Sequence, residues 1–193
     1  MSAPRADVVP ASVGDALAAA SRRLAAAGCD SPRLDAELLL AEVLDASRAR
    51  LVMERDRVLS DAEADRFGAL LARREAREPV AYILGRRSFR HLTLRVDRRV
   101  LIPRPETELL VEVGLELPAG FRVVDVGTGS GAVALAIKDE RPDLRVRGTD
   151  ISADAVAVAR GNAVRLGLEV DFAVVDLLDD EPADASLNGA PVS

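Results

Sequence analysis

The sequence predicts an α/β chain made of a small helical bundle over residues 1–80, a β-hairpin linker over 81–103 and a parallel sheet within 104–193. Three observations predict it. From Phe121 onward the pattern is strand, turn, helix, repeated, and strands that alternate with helices pair in parallel through right-handed crossovers. The first 80 residues hold capping residues followed by apolar positions at helical spacing. Between these parts, Phe89, Leu92, Leu94 and Val96 alternate loosely, as strand residues do.

Composition narrows the function classes. The 193 residues carry a net charge of −6, with 49% hydrophobic and 30% charged residues, which is the balance of a globular chain. The acidic sign disfavours bulk nucleic-acid binding. No apolar run reaches the ~20 residues of a bilayer span, and Met1 to Pro10 lacks the pattern of a secretory signal. A cytoplasmic, monomeric protein with no membrane partner is therefore expected. One cysteine, Cys29, and one histidine, His91, exclude an internal disulfide and a zinc constellation. Residues 81–117 are the only net-positive stretch, with Arg86, Arg87, Arg90, Arg95, Arg98 and Arg99 close together.

The elements follow in order. Ser12 caps a helix that runs to Ala27, where Gly28 stops it. Ser31 precedes Pro32, a cap followed by proline at the first helical position. A shorter helix starts at Ser47. Ser60-Asp61-Ala62-Glu63 is a capping box, and its helix ends near Glu78, ahead of Pro79. Val100-Leu101-Ile102 is a further extended candidate, and Pro103-Arg104-Pro105 forces a stiff turn. A helix follows over 106–117. The α/β pattern then reads as strands at 122–126, 145–149 and 169–175, with helices at 132–140 and 153–166.

The strongest local signal is Asp125-Val126-Gly127-Thr128-Gly129-Ser130-Gly131. A strand delivers the chain to a glycine-rich bend where a ligand can approach the backbone, and the next helix opens there with its amides free. Asp150 closes the second strand about 20 residues later, where a carboxylate can accept from ribose hydroxyls. Asp176 closes the third. Gly127-x-Gly129-x-x-Ala132 also fits a dinucleotide fingerprint. An acidic residue two places before the first glycine instead favours a cofactor with positive charge, such as S-adenosyl-L-methionine.

These residues resemble the class I S-adenosylmethionine-dependent methyltransferases. More narrowly, Glu78-Pro79-Val80-Ala81-Tyr82-Ile83-Leu84-Gly85 and Leu101-Ile102-Pro103-Arg104-Pro105-Glu106-Thr107-Glu108 resemble the peptide chain release factor N5-glutamine methyltransferases, the HemK/PrmC family. The resemblance implies an incomplete Rossmann-like methyltransferase sheet and S-adenosylmethionine as cofactor. It implies a peptide chain release factor as partner, methylated on the glutamine of its Gly-Gly-Gln tripeptide. Asp125, Gly127, Thr128, Gly129, Ser130, Gly131, Asp150, Asp176 and Leu177 would bind cofactor. Arg104, Pro105, Glu106, Thr107 and Glu108 would shape the substrate site, and the helical part would help dock the release factor.

No catalytic residue is assigned. In the family an Asn-Pro-Pro-Tyr motif after the fourth strand orients the reacting amide, and this sequence has none. Asn188 lies near the expected place without the prolines or the aromatic. The composition shifts at Asp179, as in a truncated or frame-shifted reading, so little methyl transfer is expected and Val123 to Val126 should be an open sheet edge. Two alternatives stand beside this: another class I N-methyltransferase, or a non-catalytic fragment that binds a release factor.

Overall fold

A computed structural model describes residues 12–176. Leu177, Asn188 and the tail from Asp179 lie outside the described residues. The chain divides into two compact units between Gly85 and Arg86.

The first unit is helical: α1 (Val13–Ala26), α2 (Pro32–Val43), α3 (Arg48–Met53), α4 (Asp61–Glu75) and α5 (Val80–Leu84). Ser12 and Ser60 cap as expected and Ser47, where only a helix start was expected, caps as well, each accepting from the backbone three residues on. Free amides at the start of α1 are also used, as Val13 and Gly14 donate to the carbonyls of Arg57 and Arg55, both at 2.8 Å. Ser31 differs from expectation. Its side chain makes no cap bond, and α2 begins on Pro32 alone. The helix α4 ends at Glu75, earlier than Glu78, because Arg77 turns left-handed at φ 68°. The five-residue α5 then follows Pro79, a helix absent from the sequence reading.

Leu24, Leu39, Leu40, Leu51, Phe67, Leu71 and Ile83 make the core of this unit. Arg74 crosses it to reach Asp35 at 2.8 Å, with side-chain exposures of 12% and 11%. Burying that charge is tolerable because it is paired and hydrogen-bonded.

The second unit opens with an antiparallel hairpin, β1 (Arg86–Phe89) and β2 (Leu92–Arg95). Phe89, Leu92 and Leu94 point into this unit's core. The hairpin turn is held at Arg90, whose guanidinium binds Glu140 and Glu112 and whose amide donates to Glu108 at 3.2 Å. Val100 to Ile102 does not form a strand. Asp97 begins a turn there, closed by Val100 N donating to Asp97 O at 3.1 Å. Pro105–Thr107 is a single 3-10 turn that leads into α6 (Glu108–Leu115), shorter than the helix expected over 106–117.

The sheet has three parallel strands in the order β3 (Arg122–Val126), β4 (Arg145–Asp150), β5 (Asp171–Val174). Helix α7 (Ala132–Glu140) joins the first pair and α8 (Ala153–Leu166) the second. Leu135, Ile137, Val146, Val156, Ala159 and Phe172 fill the space between sheet and helices. Among the described residues β3 is an edge, and its Val124 and Val126 are exposed. No helix among the described residues is long and apolar enough to cross a membrane.

Candidate functional site

The site is built at the carboxyl ends of the parallel strands, where open α/β sheets bind ligands. β3 ends at Val126, and residues 127–131 lead into α7. Gly127, Gly129 and Gly131 all have positive φ, at 70°, 55° and 81°. Only glycine takes that geometry without strain. The three differ in what surrounds them. A Cβ on Gly127 or Gly129 would meet nothing within 4 Å, so both border open space. A Cβ on Gly131 would stand 3.0 Å from Leu135 Cδ1, 3.1 Å from Phe172 Cζ and 3.2 Å from Ala159 Cβ. Gly131 is a packing glycine, whereas Gly127 and Gly129 keep the loop accessible.

Two carboxylates hold this loop. Asp125 Oδ2 accepts from Thr128 Oγ1 at 2.7 Å and from Ala134 N at 3.2 Å. Gly131 occupies the N-cap of α7 without a side chain, so Asp125 supplies the missing cap from β3. Burial pushes its carboxyl above the usual aspartate range, and the charge of Asp150 adds to the rise. Asp150 Oδ2 accepts from Gly129 N at 2.9 Å, and its Oδ1 accepts from Ser152 N at 3.0 Å. Thr128 N donates to Thr149 O at 2.9 Å, which ties the loop to β4.

The sequence-derived residues therefore separate. The structure brings Asp125, Gly127, Thr128, Gly129, Ser130, Gly131 and Asp150 together around one loop. Asp176 follows β5 and is half-buried, and Leu177 lies outside the described residues. Arg104, Pro105 and Glu106 are exposed, Thr107 and Glu108 half-buried. Among the described residues no ion pair links Arg104 to Glu106, and Glu108 is engaged with the hairpin through the Arg90 amide.

Two residues that hold the loop were missed in the sequence. Gly148 lies on β4 beneath it: a Cβ there would be 2.5 Å from Phe172 and 2.8 Å from Thr128 Oγ1. Asn162, fully buried on α8, donates to the Ser130 carbonyl at 3.0 Å. A glycine inside a strand pattern was the available signal for the first. The second had none, because its partner is 32 residues away. An open cavity of about 510 Å³, lined by residues including Arg160, Val164 and Leu168, lies at the amino end of β5 and is not part of this site.

A glycine turn after the first strand of a parallel sheet, with Asp125 one residue before the end of that strand and Asp150 at the end of the next, is the architecture of a partial class I methyltransferase fold. A family model described as the PrmC N-terminal domain matches residues 15–85, and one described as the methyltransferase small domain matches residues 105–189. The chain belongs to the HemK/PrmC family. A release factor glutamine methyltransferase of Aliivibrio fischeri is 51% identical over 138 residues, covering 70% of this chain and 49% of the relative. The protein of the same name from Vibrio cholerae is 46% identical over 155 residues, covering 79% and 54%. That from Rhodospirillum rubrum is 46% identical over 149 residues, covering 76% and 46%. The chain thus spans about half the length of the curated relatives it matches.

Proposed function

We propose that the described loop binds S-adenosyl-L-methionine, and that the protein N5-methylates the Gly-Gly-Gln glutamine of a peptide chain release factor. The observation that carries the cofactor assignment is the convergence of Asp125 and Asp150 on one glycine loop. Among the described residues, neither pairs with an arginine or lysine. Burial raises the cost of the Asp125 charge and the Asp150 carboxylate adds to it, and a cationic ligand offsets that cost. A pyrophosphate would add to it. The residues also fit by shape, because Gly127 and Gly129 leave open the space a Cβ would fill, and the exposed Val126 and Ile151 border the strand ends.

The cofactor, when bound, supplies an electrophilic methyl group. In this reading Gly127 to Gly131 lie along its methionine part, Asp150 accepts from the ribose, and Asp176 borders the adenine. Arg104 to Glu108 shape the floor where the glutamine amide enters, and the helical unit docks the release factor. The substrate assignment rests on the names of the relatives. The reacting amide needs acceptors that fix its N–H groups in line with the methyl.

Calorimetry tests the cofactor. S-adenosylhomocysteine should bind and NAD should not, and tighter binding of NAD would sink the assignment. Labelled S-adenosylmethionine with an unmodified release factor tests the reaction. The 193-residue chain, whose sequence contains no Asn-Pro-Pro-Tyr, should turn over far more slowly than a full-length relative. Comparable turnover would show that another group in these residues holds the amide.

A further inference from the structure

We propose that Asn162 is a positioning residue that locks the cofactor loop to the hairpin, so that the order of one depends on the order of the other. The geometry is specific. Asn162 is 0% exposed. Its Nδ2 donates to Ser130 O at 3.0 Å and to Arg95 O at 3.0 Å, and its Oδ1 accepts from Arg95 N at 2.7 Å. Toward Arg95 the side-chain amide mimics a neighbouring strand, taking the N–H and the C=O of one residue together. Toward Ser130 it holds a carbonyl in the middle of the glycine loop. Arg165 Nη2 fills the remaining acceptor position on Oδ1 at 3.3 Å. One buried side chain, with both its donors and its acceptor used, joins α8, β2 and the loop.

Substitution separates these bonds. Aspartate at 162 keeps an acceptor for the Arg95 amide but has no donor for Ser130 O, whose residue is only 2% exposed. A buried carbonyl that loses its donor and faces a carboxylate oxygen is driven to move. Leucine of similar volume loses all four bonds. Because β2 precedes the Pro103–Glu108 segment in the chain, the lock also offers a route by which cofactor binding orders the approach to that segment.

The inference rests on the cofactor reading only for its ligand arm, so it is tested in two arms on the full chain. In the first, without ligand, hydrogen exchange is compared for unmodified chain, Asn162→Asp and Asn162→Leu. The Gly129 and Gly131 amides should exchange at least tenfold faster in both variants, relative to Arg141 at the far end of α7. The Arg95 amide should accelerate in Asn162→Leu more than in Asn162→Asp. Equal acceleration at Arg141 would mean a general loss of stability and would overturn the proposal.

In the second arm S-adenosylhomocysteine is added to the unmodified chain, which avoids any variant that fails to fold. Its binding should slow the Arg95 amide at least tenfold more than Arg141, together with the loop. Slowing of the loop while Arg95 stays with Arg141 would overturn the coupling. If the unmodified chain binds no S-adenosylhomocysteine, the cofactor reading fails, and the lock is decided by the first arm alone.

Discussion

Gly127 and Gly131 share a backbone geometry yet differ in surroundings, so the same alanine substitution should act differently at each. Both have φ between 70° and 81°, and an alanine held there costs ~1–2 kcal/mol. At Gly127 little else is added, because the new Cβ meets nothing within 4 Å. At Gly131 the Cβ presses on Leu135, Phe172 and Ala159 at 3.0–3.2 Å. Leu135, Phe172 and Ala159 all sit in the core, at 0–1% exposure, so none has free space to move into. Overpacking of this kind costs a further ~1–3 kcal/mol.

Gly131→Ala should therefore destabilise the second unit by about 2–5 kcal/mol and Gly127→Ala by about 1–2 kcal/mol. A whole-chain melt would mix the two units, and with one tyrosine and no tryptophan the chain offers little fluorescence to separate them. Hydrogen exchange at the β4 amides reports the second unit directly. Binding should show the reverse order per folded molecule. Gly127→Ala should weaken S-adenosylhomocysteine tenfold or more, because its methyl enters the open space. Equal stability losses within about 0.5 kcal/mol would refute the packing argument at Gly131. Unchanged affinity in Gly127→Ala would refute the role of that open space.

In the helical unit, Arg74→Ala strands the Asp35 carboxylate in the core and should cost about 3–5 kcal/mol, whereas Asp35→Leu with Arg74→Met should recover most of it; chemical denaturation checks both. The Glu63 carboxyl is held down at about 2, first by its hydrogen bond from Arg57 and then by the Ser60 amide. Its folded value lies below the unfolded one, so its contribution is present above the ordinary carboxylate range and lost as pH falls through about 2. A carbon-detected titration of Glu63 should find that midpoint, and one near the ordinary glutamate value would contradict the bonded geometry.

Local signals were legible in the sequence and distant ones were not. Ser12, Ser47 and Ser60 cap through bonds three residues long, which a linear pattern contains. The α7 and α8 spans were read to the residue because glycines and Ser152 mark where they begin. Ser31 fails because its backbone leaves the extended region that the cap bond requires, at φ −129° and ψ 59°. Arg77 escapes because tertiary bonds hold a non-glycine residue left-handed: its guanidinium reaches the carbonyls of Ala27 and Gly28. Val100 to Ile102 looks extended by composition, but among the described residues it is no member of either sheet, and Val100 N closes a turn on Asp97 O instead.

Asp125 shows why a residue type can be read correctly for only part of its reason. In the sequence Asp125 stands out for its charge near a cationic ligand. The structure gives it an earlier task. Three glycines keep the loop open but leave α7 without a cap side chain and leave the loop free to wander. That freedom is removed from outside the glycines: by Asp125 on Thr128 and Ala134, by Thr149 O on the Thr128 amide, by Asp150 on the Gly129 amide, and by Asn162 on Ser130 O. The loop is thus ordered before anything binds, which lowers the entropy lost on binding. Asp150 then has a choice to make, because the carboxylate expected at the ribose already accepts from Gly129 and Ser152. A carboxylate has about four lone-pair sites, so two further donors can be taken without releasing the loop. Loop order and ribose recognition can therefore be satisfied by the same side chain at the same time, provided the hydroxyls approach from the side left open by Gly127 and Gly129.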